Sequence, residues 1–441
     1  MSIEIGRFAL QAHGSCTVRY GDTVIMATIV QSKNIREGID YFPLMVDFEE
    51  KLYAAGRIKG SRFIKREGRP TDEAILSGRL IDRTIRPLFD ERVRNDVQVV
   101  ITSLCVDGAN DATITGLIAA SCAIHMSSVP WAGPIGAARI GRINGELVLN
   151  ITAEKLSRGT TRDPDFTSGE KNESDLDLIV AGTPDKLIMV EAGAKEVSED
   201  DMYSAIKWGC EQLQPVIDLI AKVRAEAGAT KMTVPALADD LAGVEDNIEE
   251  KVRQEVRKFV ADSAETMIFD SVKITRKERQ EMVYKIEAAA VALLTEKGYD
   301  KETHKVGLKN IKQYVAEQIT KRILEKDERL DGRKLTEIRE LQTEIDLLPR
   351  THGSAMFMRG DTQVLSVVTL GSPGDVQTFD SMEQVGTKRY MHHYNDAPFA
   401  YGEAGMMRGP GRRAIGHGAL AERALEPVLP SAEDFPYAMR V

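Results

Sequence analysis

The sequence predicts a duplicated α/β (α+β) protein with an all-helical segment between the two copies. Residues 13–23 read His13-Gly14-Ser15, five variable residues, then Gly21-Asp22-Thr23, and residues 352–362 repeat this as His352-Gly353-Ser354 and Gly360-Asp361-Thr362. Matched residues at one fixed spacing argue for an internal repeat. Further echoes follow in the same order: Ala55-Gly56 with Ala404-Gly405, Lys65-Arg66 with Arg412-Arg413, and Arg83 and Pro87 with Arg423 and Pro427. Between the copies, mixed strand and helix signals give way to apolar residues at helical spacing alone. The expected division is a first copy at 1–232, a helical linker at 233–326 and the N-terminal part of a second copy at 327–441.

In chain order, Thr23–Val30 and Val97–Cys105 are β-rich runs. Ala112–Met126 is dense in small residues and reads as a helix packed closely on a sheet. Arg139–Ile151 reads as a hairpin around Asn144-Gly145, the strongest short turn signal. Leu176–Ala181 and Leu187–Glu191 form a second strand pair. Residues 154–174 are polar and read as an exposed loop. Glu199–Ala227 is expected as one long amphipathic helix ending near Gly228. Three helical stripes follow: Leu241 to Val260, then Met282, Ile286, Ala290 and Leu293 with Gly298 as a stop, then Ile311, Val315, Ile319 and Ile323. About three helices are therefore expected. From Arg329 the α/β pattern returns, and the sequence reaches Val441 inside an expected strand beginning near Tyr437. A second copy matching the first would run on for roughly a hundred residues.

With 441 residues, two to four domains can each bury a core. The formal charge is -10, so no global positive field draws in nucleic acid, and any polyanion site must be a local basic patch. Cys16, Cys105, Cys122 and Cys210 lie far apart without a CxxC pair; they read as small buried hydrophobes and fit a reducing, cytoplasmic setting. No membrane span and no secretory signal are expected.

Two basic patches stand out. Arg57–Arg86 holds nine Lys or Arg against four acids, so it can attract a polyanion despite the overall charge. Lys65, Arg66 and Arg69 lie in a loop with Phe63, a composition that suits phosphate contacts and base stacking on a single strand. Arg79, Arg83 and Arg86 share one helix face, which fits either a polyanion contact or a solvated face with ion pairs. The second patch is Arg408–Arg423. Gly405, Gly409, Pro410 and Gly411 lead to Arg412-Arg413 and then Gly416-His417-Gly418. Here glycines are expected to let the backbone close on a ligand while paired arginines grip phosphate oxygens. His13 and His352 read as turn residues before strands, and adjacent His392 and His393 cannot place both rings on one strand face as a metal pair. No Walker loop, nucleophile elbow or zinc spacing is present.

At Glu67-Gly68-Arg69-Pro70, Arg79-Leu80-Ile81-Asp82-Arg83, Ile85-Arg86-Pro87-Leu88-Phe89, Arg329–Arg333 and Arg412-Arg413 with Ile415-Gly416-His417-Gly418, the sequence resembles the bacterial polynucleotide phosphorylase family of the ribonuclease-PH-like superfamily. The likeness covers essentially the whole chain. It implies two ribonuclease-PH-like domains (the ribosomal-protein-S5-domain-2-like fold) joined by a helical domain. It also implies a cytoplasmic homotrimeric ring that degrades single-stranded RNA from the 3′ end in mRNA turnover, with inorganic phosphate as co-substrate, nucleoside diphosphates as products and Mg2+ as cofactor. Arg412, Arg413 and His417 match positions that bind phosphate and RNA. Phe63, Lys65, Arg66, Arg69 and Arg83 are implied RNA contacts. The family's constriction loop reads Phe-Phe-Arg-Arg where this chain has Phe63-Ile64-Lys65-Arg66. The catalytic signature, Asp, five residues, Asp, one residue, Lys, and with it the metal ligands, is expected beyond Val441. In the first copy the equivalent place reads Lys171, Asp177, Ile179, which implies an inactive copy with a structural Asp177. Other RNA-degradation proteins are candidate partners; membrane and DNA are not. The alternative is a non-catalytic RNA-binding scaffold of the same fold.

Overall fold

The computed structural model describes residues 1–36, 39, 41–60, 65–152, 155–156, 174–232, 248–382, 385–407 and 409–441. The chain divides into two compact units, Met1–Val234 with Leu370–Val441, and Pro235–Thr369.

The first unit opens with β1 (Ser2–Ile5), β2 (Gly14–Tyr20), β3 (Thr23–Ile35) and β4 (Leu44–Glu49), followed by α1 (Asp72–Ile85), β5 (Asn95–Cys105) and α2 (Ala112–Met126). The sheet order is β1-β2-β3-β5-β4, antiparallel except for the β4–β5 pair. Alternation on β3 sends Thr23, Ile25, Ala27 and Ile29 to the buried face, and Val97, Val99 and Ile101 of β5 join them. α2 lies across this face and is buried on nearly every side, which its small residues permit. The Gly21-Asp22 turn joins β2 to β3 with φ +60° at Gly21, the first central position, where a type II′ turn needs a glycine.

A second sheet, ordered β7-β6-β8-β9, is wholly antiparallel: β6 (Gly136–Ile143), β7 (Glu146–Leu149), β8 (Ser174–Gly182) and β9 (Leu187–Ala194). Its first hairpin turns at Asn144-Gly145, both with positive φ, as a type I′ turn demands. The expected loop at 154–174 falls almost wholly outside the described residues. Two helices follow, α3 (Glu199–Glu211) and α4 (Gln214–Ala227). The expected single helix Glu199–Ala227 is therefore broken. Pro215, in the first turn of α4, is the cause: it lacks the N–H, and its ring would clash with the Glu211 carbonyl in a continuous helix.

In the second unit, α5 (Ile248–Asp262), α6 (Arg276–Glu296), α7 (Lys301–Leu308) and α8 (Ile311–Lys326) enclose a small core of Val252, Val256, Val260, Met282, Ile286, Ala290, Ile311 and Val315. Leu294, not Leu293, completes the α6 stripe. α7 is a helix beyond the expected three, started by Asp300, whose carboxylate accepts the Thr303 N–H at 2.8 Å. Leu241 and Val244 lie outside the described residues. The repeat returns as β10 (Leu341–Ile345), β11 (Gly353–Arg359) and β12 (Thr362–Gly371). Gly353 pairs with Val368 across β11–β12, as Gly14 pairs with Ile29 across β2–β3, and Gly360 has φ +62°. The duplicated motif thus builds the same hairpin in the same register twice.

Residues 370–441 return to the first unit with β13 (Gln377–Asp380), β14 (Val385–Lys388), β15 (Tyr390–Met391), α9 (Arg412–Leu425) and β16 (Ala438–Arg440). β15 and β16 pair in parallel, and α9 packs against α1.

Candidate functional site

α1 and α9 are counterparts: each has 14 residues, and Arg83 and Arg423 stand at the same position in them. This alignment corrects the expected pairing of Lys65-Arg66 with Arg412-Arg413. Lys65-Arg66 precede α1, whereas Arg412-Arg413 form the first turn of α9 and stand opposite Asp72-Glu73. The two helix starts differ in chemistry. The α1 start is closed: the Thr71 side chain accepts the Ala74 N–H at 3.0 Å, and two acids complement the helix dipole. The α9 start has Gly411 at its cap with no side-chain hydrogen bond, and two arginines where the dipole is already positive. That arrangement costs electrostatic energy unless a negative charge arrives, and it matches an anion-binding helix start.

Carboxylates already stand nearby. Arg412 donates to the Val46 carbonyl at 2.8 Å and pairs with Asp47, both on β4. Arg413 lies 4.0 Å from Asp396, with its guanidinium 5.4 Å from the Tyr401 ring centroid. One turn on, His417 packs against Tyr394 with centroids 5.1 Å apart. Spacing of i, i+4 puts Arg413 and His417 on one face. The arginine side chains stay open, at 52% and 59% exposure. Gly416 and Gly418 serve packing and not ligand approach. A Cβ at Gly416 would lie 2.4 Å from Arg79 Nε, and one at Gly418 would lie 2.7 Å from the His392 carbonyl. His392 and His393 take separate partners, Tyr390 Oη at 2.8 Å and Arg440 Nε at 3.0 Å.

In the first patch, Lys65, Arg66 and Arg69 are exposed, while Phe63 lies outside the described residues. Of the helix-borne arginines, Arg83 and Arg86 have carboxylate partners. Arg86 makes a two-pronged pair with Asp82 at 2.7 and 2.9 Å. Arg83 and its counterpart Arg423 both pair with Glu191 on β9, Arg423 at 2.9 Å. Sequence reasoning missed Glu191, because nothing local marks a strand glutamate as the meeting point of two distant helices. Asp177 accepts two hydrogen bonds from Arg139, each 2.7 Å, and Arg139 also reaches Asp111 at 2.5 Å, whose other oxygen caps α2. Burial opposes the Arg139 charge, but its bonds to Asp177 and the Asp111 charge hold its pKa above the ordinary guanidinium value. Lys171 lies outside the described residues. Among the described residues, no group of three or more His, Cys, Asp or Glu is placed to hold a metal ion, and no helix is long and apolar enough to cross a membrane.

Comparison with known proteins gives the fold its family. A model described as the 3′ exoribonuclease family, domain 1, matches residues 1–130 and again 337–441, and the domain 2 model matches 133–212. The chain belongs to the 3′ exoribonuclease family. Its α/β architecture is that of duplicated ribonuclease-PH domains. Among curated relatives, the polyribonucleotide nucleotidyltransferase of Heliobacterium modesticaldum is 45% identical over all of this chain and 58% of its own length. Those of Alkaliphilus oremlandii and Dehalococcoides mccartyi are 44% and 43% identical, again over the whole chain, with 58% and 56% of their own lengths covered. The chain thus spans a little over half the length of these relatives.

Proposed function

We propose that the complete protein degrades single-stranded RNA from its 3′ end by phosphorolysis. A phosphate oxygen attacks the phosphorus of the last linkage, the bond to the preceding O3′ breaks, that oxygen takes up a proton, and a nucleoside 5′-diphosphate leaves. The observation that carries this reading is the open, arginine-bearing start of α9 set against the capped, acidic start of α1. Three anionic partners meet in such a reaction: phosphate, the scissile linkage and the RNA backbone. Arg412, Arg413 and the α9 dipole supply positive charge for holding phosphate beside the strand, and His417 extends that face. Relatives of the whole chain carry the name polyribonucleotide nucleotidyltransferase, which supports the assignment.

The first copy is assigned the grip on RNA, through Lys65, Arg66 and Arg69 with Phe63. Arg83, held by Glu191, is assigned a role in fixing α1 and not a contact with RNA. The first copy is read as inactive, since Asp177 is committed to Arg139. Mg2+ is the proposed cofactor, and among the described residues no group of three or more His, Cys, Asp or Glu is placed to hold it. The three-part division at 1–232, 233–326 and 327–441, a homotrimeric ring, a cytoplasmic location and association with other RNA-degradation proteins complete the reading.

The test is product identity. The complete gene product, given poly(A) and inorganic phosphate, should release ADP in a phosphate-dependent way. Release of AMP would mean hydrolysis, and RNA binding without any product would favour the scaffold alternative.

A further inference from the structure

The basic loop of the first copy leaves and rejoins the body of its unit at a single residue. Leu52 is 5% exposed. Its carbonyl accepts the Arg57 N–H at 3.0 Å on the outgoing limb. Its own N–H donates to the Glu67 carboxylate at 2.8 Å on the returning limb, directly after Lys65 and Arg66. The Glu67 carboxyl is held below the usual range by its own backbone N–H and that of Leu52, so this closure persists at neutral pH. The outgoing limb has a second anchor, and it comes from the other copy. Asp380, the last residue of β13, pairs with the Arg57 guanidinium and accepts the Gly60 N–H at 3.2 Å. A Cβ on Gly60 would itself lie 3.2 Å from that carboxylate oxygen, so the fit is close. Both side chains of the ion pair are about one-third exposed, at 32% and 29%. Charge-assisted bonds of this kind to a guanidinium and a backbone amide are stronger than neutral ones.

We infer that Asp380 is a positioning residue: it carries the second copy's influence to the neck of the first copy's basic loop and so sets where Lys65 and Arg66 meet RNA. Asp380 touches neither RNA nor phosphate in this account; it acts through Arg57 and Gly60. Arg412 makes the reciprocal link, from the second copy to β4 of the first, just ahead of Leu52. Each basic patch is therefore tied to the opposite copy: Asp380 of the second holds Arg57 and Gly60, and Asp47 of the first pairs with Arg412. The inference rests on the reading of Lys65 and Arg66 as RNA contacts.

The experiment measures binding of a labelled oligo(A) to the complete gene product across a salt series, for wild type, Asp380→Ala, Lys65→Ala with Arg66→Ala, and the three changes together. Each phosphate contact on a single strand contributes about -0.7 to the slope of log K against log salt, so loss of both contacts should flatten it by about 1.4. Asp380→Ala should flatten the slope by a similar amount, and adding it to the loop variant should change nothing further. A merely structural change would lower thermal stability without altering the salt slope. A wild-type slope in Asp380→Ala, with a flattened one in the loop variant, overturns the positioning role and leaves the RNA reading intact. Additive losses overturn it too. A wild-type slope in the loop variant overturns the RNA reading itself, and this inference with it.

Discussion

At the scale of single residues, the structure turns chemical suspicion into commitments that can be measured. Both carboxylate oxygens of Asp177 are engaged by the Arg139 guanidinium. Arg139→Ala should cost about 3 kcal/mol, the low end of the range for broken buried pairs, because the Asp177 side chain is 40% exposed. Asp177→Asn should lower stability while leaving the maximal phosphorolytic rate of the complete protein within about twofold of wild type. Denaturant titration and steady-state kinetics on one preparation check both statements. A second prediction concerns His125, at the end of α2. Burial, with Arg224 and Lys231 beside it, pushes its imidazole down to about 4. An unfolded chain titrates near 6.5. Between those values the unfolded state binds more protons, so the residue's contribution, full above pH ~6.5, is lost as pH falls toward ~4. His125→Gln should remove part of the stability slope in that window, as read from urea midpoints, and change nothing above it.

At the scale of elements, local chemistry was legible and long-range packing was not. α2 runs Ala112–Met126 as its small-residue pattern indicates, and Asn144-Gly145 makes its turn, because each signal resides in adjacent residues. The same locality explains the error at Glu199–Ala227, where an unbroken amphipathic stripe outweighed Pro215. Gly416 and Gly418 show the other limit. Their partners, Arg79 and the His392 carbonyl, are remote in sequence, so the glycines read as freedom to meet a ligand when they are room for a neighbour. Gly418→Ala should therefore destabilise the protein in thermal melts, although alanine gains ~1 kcal/mol in helix propensity. The obstruction is a backbone carbonyl 2.7 Å from the added carbon and cannot swing away. Gly416→Ala meets the Arg79 side chain instead and should be the milder of the two.

At the scale of the whole molecule, the repeat was legible because a motif repeated in sequence builds one hairpin twice in the same register. The unequal fates of the copies were only half legible. Sequence offered the two basic patches, but the contrast between the α1 and α9 starts needed the helix boundaries, which put Gly411 at a helix cap and Arg412-Arg413 in the first turn. A ring that threads RNA past both patches should be trimeric in the complete protein, and light scattering of a monomer that still degrades RNA processively would contradict the ring. The central claim is the division of labour between the copies. Its most direct test is steady-state phosphorolysis of a long RNA by the complete protein, with phosphate and RNA varied separately. Arg412→Ala with Arg413→Ala should lower the maximal rate at saturating RNA, each loss costing about 2.7–4 kcal/mol if comparable to loss of an oxyanion donor. Lys65→Ala with Arg66→Ala should raise the RNA concentration needed and barely touch that rate, since only uniform binding is lost. Equal loss of maximal rate in the two variants, or a normal maximal rate without Arg412 and Arg413, would contradict the account.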